Sequence, residues 1–398
     1  MGRKFYLLWL LSAALGALGA AADVSWHFSR VFDEFSPPHN VATTGFILNI
    51  GLLYWALVRH RDRLSDGERV GLMLNALGTA LFLVGIPLDF TWHQIFGIDI
   101  TTWSPTHLLL FYSACVSEVG VLKAWLSSPE GHGRGSWAIS FFICFFFLSA
   151  ALFPLGQQEY AAVALDSLNR TGKAPWFVAP DLWALAGPQA VKLAKGGAPD
   201  WLYLVYQPAV AALVLTVVSM LLRFSAVRQY KAQASAVSRW YSYLPATCLV
   251  LALLAFRIAG RTVFSIIGMP VATIPWWLIP LALVLDIAFL FESVLTTLTR
   301  VLPAAVRAQP QAVVGALGAI VGTLAYYGSM LVLRNYHVLM PAAPLALLPV
   351  ALVTAAAGAV AGALLAGWLL EQAEAQTVRG ATTTRAAKPA LAGARNVK

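Results

Sequence analysis

The sequence predicts an all-α, polytopic integral membrane bundle of about ten transmembrane helices, with a duplicated helix pair in its N-terminal part. Hydrophobic residues make up 59% of the 398 positions and charged residues only 11%, too little charge to coat a water-soluble domain of this length. The apolar residues fall in runs of about 18–24, the length that carries a helix across a bilayer. One polar motif also occurs twice, each time after one apolar run and before the next, which predicts the duplication.

The expected spans, in order, are 5–22, 37–58, 70–88, 105–126, 137–155, 201–222, 241–258, 273–295, 311–333 and 343–370. The first also has the look of a secretory signal, with basic residues before its apolar run and small residues after it. The repeat argues for a retained helix, because the run 70–88 holds the same place before its own Asp. Ser65-Asp-Gly-Glu68 reads as a capping box opening the third span. Residues 156–200 form the one long loop, expected to act as a lid or lie on the membrane interface. The domain reading is therefore 1–126 for the duplicated pairs, 127–370 for a further bundle that includes the loop 156–200, and 371–398 for a disordered tail rich in Ala, Thr, Lys and Arg.

The net charge of +9 does not call for nucleic acid. By the expected spans, 19 of the 27 Lys and Arg residues lie on the side of the termini and eight on the other, which places both termini in the cytoplasm. Cys115, Cys144 and Cys248 each lie inside an apolar run and none belongs to a C-x-x-C pair, so neither a disulfide framework nor a thiolate metal site is expected. No P-loop, dinucleotide motif, c-type haem motif or soluble catalytic domain is present.

The chemistry lies in the repeated motif. Its first copy is Asp23-Val-Ser-Trp-His27 followed by Ser36-Pro-Pro-His39, and its second is Asp89-Phe-Thr-Trp-His93 followed by Ser104-Pro-Thr-His107. Four of the seven histidines occupy equivalent places in these copies. Asp and His at i and i+4 share one face of a helix, one turn apart. Ser followed by Pro reads as a helix start, which puts the second His of each copy in the first turn of the next span. A helix end and the following start then bring one carboxylate and two imidazoles together, a ligand set for iron, with imidazole also suiting zinc and copper. The expected metal ligands are Asp23, His27, His39, Asp89, His93 and His107, converging on one extracytoplasmic pocket. Capping helices and anchoring the membrane interface is the alternative role for the same residues.

Acids inside apolar runs are costly and often functional. Glu118 lies 11 residues beyond His107, on nearly the same helix face and roughly 16 Å deeper. It is the candidate catalytic residue, moving protons or ions inward, with local hydrogen bonding or water contact as the alternative role. Asp286 lies at a comparable depth in the eighth span.

Asp-x-x-x-His followed about a dozen residues later by His resembles the metal-binding pattern of the C subunit of copper membrane monooxygenases, the methane and ammonia oxidisers. The resemblance implies that Asp23, His27 and His39, or Asp89, His93 and His107, bind metal within a helix bundle. It covers under twenty residues per copy. The motif is duplicated here, its final spacing differs between the copies, and ten spans exceed what that subunit has.

The functional expectation is a metal-dependent membrane oxidoreductase using a transition metal, copper or iron ahead of zinc. The alternatives are a metal-ion or proton-coupled transporter and a zinc-dependent membrane hydrolase. The expected partners are the lipid bilayer, the metal ion and further membrane subunits, and the expected location is the cell membrane.

Overall fold

The second helix of each N-terminal hairpin begins where the capping signals place it. Ser36 accepts a hydrogen bond from the backbone N–H of His39 at 3.2 Å, and Ser104 does the same for His107 at 3.2 Å, each with Pro opening the helix. The capping box also forms. The Ser65 N–H donates to Glu68 Oε2 at 3.0 Å and the Glu68 N–H donates to Ser65 Oγ at 3.3 Å. The other Glu68 oxygen receives the terminal ammonium of Met1.

The structure, a computed structural model, describes residues 1–29, 36–96, 104–133, 135–171, 201–233, 243–266, 276–298, 309–333 and 345–392. Among them the regular elements are all helices: α1 (Arg3–Ser29), α2 (Pro37–Tyr54), α3 (Asp66–Phe96), α4 (Pro105–Leu126), α5 (Ser136–Thr171), α6 (Gln207–Gln233), α7 (Pro245–Ile266), α8 (Leu278–Leu290), α9 (Pro310–Leu333) and α10 (Leu348–Ala392). Single π-turns, Trp55–Arg59 and Leu202–Tyr206, extend α2 and precede α6. Eight of the ten are long and apolar enough to cross a membrane, and α7 and α8 carry shorter apolar stretches. The chain is an all-α helical membrane bundle.

Some boundaries lie beyond the apolar runs. α5 continues past residue 155 to Thr171, since no Pro or Gly interrupts the Ala-rich stretch that follows Gly156. The rest of the long loop, 172–200, lies outside the described residues. α8 breaks at Phe291, and a short helix, Glu292–Leu298, follows. The backbone stays helical beyond Glu371 to Ala392, where alanines supply helix propensity.

Lipid tails are as apolar as leucine, so burial alone does not hold such helices together. Close approach of small residues and interhelical hydrogen bonds do. α1 pairs with α2, and α3 with α4. From α4 the packing passes through α5, α6 and α10 to α9 and α8. A Cβ on Gly78 would stand 2.5 Å from the Ser113 carbonyl, and a Cβ on Gly45 would stand 2.6 Å from the Ser12 carbonyl. Gly19 meets Ala42 in the first hairpin as Gly85 meets Leu110 in the second. By the register of the motif letters, Ser12 and Gly45 correspond to Gly78 and Ser113, and Gly19 and Ala42 to Gly85 and Leu110.

A buried polar network joins the two hairpins. Asn49 on α2 donates to Asn75 Oδ1 at 3.2 Å and to Thr79 Oγ1 at 2.9 Å, and Ser117 on α4 donates to Asn75 Oδ1 at 2.6 Å. Tyr6 on α1 is fully buried against Trp125 on α4, their rings 4.7 Å apart. Large exposed side chains such as Leu7, Ile47, Met73, Val84 and Val353 face outward, as a lipid environment requires.

Candidate metal centre

α3 passes Pro87 without ending and carries Asp89 and His93 in its last turns. α4 opens beside it with Thr106 and His107 in its first turn. Asp89 Oδ2 stands 3.4 Å from His93 Nε2 and 3.4 Å from His107 Nε2. The two imidazole rings have centroids 5.3 Å apart. One donor atom from each of the three residues lies within 4.8 Å of the others. Two ligands ~2.1 Å from one ion at a tetrahedral angle stand ~3.4 Å apart, so the carboxylate–imidazole spacings already match shared coordination. Exposures of 18% for Asp89, 20% for His93 and 22% for His107 leave the group open enough for an ion to enter.

Thr106 orients the carboxylate. Its Oγ1 donates to Asp89 Oδ1 at 2.6 Å, and Ser104 Oγ lies 3.3 Å from Thr106 Oγ1. The bond occupies Oδ1 and turns Oδ2 toward both imidazoles. The motif did not single out Thr106, because the first copy has Pro38 at the equivalent place. The expected result for Thr106→Val, which keeps the shape and deletes the donor, is metal affinity about 10–100-fold lower with the helices intact. Metal titration with circular dichroism on the same sample checks this, and unchanged affinity would remove Thr106 from the centre.

In the first hairpin Asp23 Oδ2 stands 3.1 Å from His39 Nε2, and Ser36 Oγ donates to Asp23 Oδ1 at 3.4 Å. His27 follows Asp23 by one turn in the backbone of α1, and its side chain lies outside the described residues. Among the described residues the grouping within 4.8 Å takes in Asp89, His93 and His107.

The deeper acids part company. Glu118 is buried in α4, and its Oε2 has no hydrogen-bond partner among the described residues. Asp286 is fully buried and fully engaged. It accepts from Ser219 Oγ at 2.9 Å, from the Thr247 N–H at 2.8 Å and from Thr247 Oγ1 at 2.9 Å. It therefore caps the start of α7 from α8. The Arg223 guanidinium lies 3.8 Å from Asp286 Oδ1 and donates to the Asp286 carbonyl at 2.8 Å. The sequence pattern did not single out Arg223 as a partner for this acid. A lone cation at the end of the sixth apolar run was the available signal.

Comparisons with protein-family models, with curated proteins and with solved structures return no match for this chain.

Proposed function

We propose that this chain is a metal-dependent membrane oxidoreductase whose centre is held by Asp89 Oδ2, His93 Nε2 and His107 Nε2. The observation that carries the reading is the convergence of these three donor atoms across the α3–α4 junction. Two imidazoles and one carboxylate suit iron or copper ahead of zinc and leave coordination positions for a substrate. An ion bound there supplies redox or Lewis-acid chemistry, while the chain holds its ligands at the mouth of the bundle. The resemblance to the C subunit of copper membrane monooxygenases supports the same choice of metals.

The two hairpins are read as copies of one unit, supported by their matching small-residue contacts and matching Ser caps. On that reading Asp23, His27 and His39 form a second ligand set. The charge bias puts both sets on the extracytoplasmic face, with the termini in the cytoplasm. Burial of Tyr6 against Trp125 favours a retained first helix. Reporter fusions after Arg63 and within 172–200 are expected on opposite sides of the membrane. N-terminal sequencing is expected to find no chain starting at Asp23, and such a start would overturn the retained helix.

A carrier is the second reading, favoured by the buried acid of α4. Metal exchange separates the two. The purified protein in sealed vesicles is loaded with copper or iron and washed. An oxidoreductase keeps its ion and turns over with it, whereas a carrier releases it to the opposite compartment.

A further inference from the structure

Among the described residues four acidic or basic side chains are buried: Glu68, Glu118, Lys123 and Asp286. Three of them hold the fold together. Glu68 closes the capping box of α3 and pairs with the Met1 ammonium. Lys123 donates to the Trp368 and Leu369 carbonyls and lies 4.4 Å from the Trp368 ring centroid, fastening α4 to α10. Asp286 ties α8 to α6 and α7, as described above.

Glu118 does none of this. It is 8% exposed, midway along α4, with Oε2 lacking any hydrogen-bond partner among the described residues. Among the described residues two thiols lie near it, Cys115 on its own helix and Cys144 on α5. No cation of α3, α5 or α10 pairs with it among the described residues. A buried polar group that gains no bond costs stability with nothing returned, and an acid so placed inside an apolar span is a functional candidate.

We propose that Glu118 is a proton-binding site inside the membrane, distinct from the metal centre and independent of metal occupancy. Its ligand is a proton. With no cation paired to it among the described residues, the buried carboxyl holds a proton and releases it only when water or a base reaches it.

The test uses the full chain in phosphatidylcholine vesicles with dicyclohexylcarbodiimide, an apolar reagent for protonated carboxyls. The carboxyl proton moves to one reagent nitrogen as the carboxyl oxygen bonds to the central carbon. The acyl group then migrates to nitrogen, giving a stable N-acylurea with nothing lost. The expected result is an adduct on the Glu118 peptide, stronger at acidic than at alkaline pH and absent from Glu118→Gln. Acid titration of Glu118→Gln should consume a proton fewer per chain. Glu118→Leu should melt at or above the wild-type temperature, because it removes a buried carboxyl oxygen, Oε2, that has no hydrogen-bond partner among the described residues. Glu118 left unmodified while Asp286 reacts, or melting lowered by both substitutions, would assign Glu118 a structural role and overturn the proposal. The metal content of Glu118→Gln is expected to equal that of the wild type, so failure of the metal reading is seen separately.

Discussion

His93→Ala and His107→Ala are each expected to lose bound metal. The loss in affinity should exceed the 10–100-fold that removal of an outer partner costs. Each substitution deletes one of three protein donors that stand within 4.8 Å of one another, and the remaining pair cannot exclude water from the vacated position. Asp89→Asn is expected to follow, since the carboxylate is the only anion of the group. Protons compete with metal for imidazole nitrogen, so wild-type occupancy should fall as the pH is lowered. Elemental analysis after growth with copper, iron and zinc, and purification without chelator, checks all of this. A metal-free wild type, or a His93→Ala protein with its full metal content, would remove the metal centre and leave the cluster as a pair of helix caps.

Gly120→Val should have the largest effect on stability, above about 4 kcal/mol. A Cβ on Gly120 would lie 2.4 Å from the Asn75 backbone nitrogen and 2.5 Å from the Gly71 carbonyl oxygen. Both are backbone atoms, so no side-chain rotation relieves the clash, and α3 and α4 must separate. Separation breaks the Ser117–Asn75 bond of 2.6 Å. It also pulls Asp89 on α3 away from His107 on α4, so metal should be lost with stability. Gly51→Val is the control, because nothing lies within 4 Å of a Cβ there. Thermal unfolding in detergent is the measurement. If Gly120→Val melts like the wild type, the tight α3–α4 approach is not what holds the second hairpin.

The helices and their starts were legible because their causes are local. Ser36, Ser104 and the Ser65–Glu68 box satisfy N–H groups within one turn of themselves. The Asp89–His93 pair was legible for the same reason, since four residues is one turn. The extension of α5 and α10 was less legible, because the end of an apolar run marks a membrane boundary rather than a helix end.

What the sequence by itself determined is the class of the chain, the order of its spans, and the donors placed at the α3–α4 junction. Hydropathy, caps and the helical period all act over a few residues. Tertiary structure decided which groups meet across helices. It gave Thr106 to Asp89 and Arg223 to Asp286, bound Lys123 to α10, and left Glu118 Oε2 without a partner among the described residues. Those outcomes depend on the rotation and depth of each helix against its neighbours. These are set by contacts such as Gly71–Gly120 and Gly78–Ser113, which lie far apart in the chain and carry no local signal.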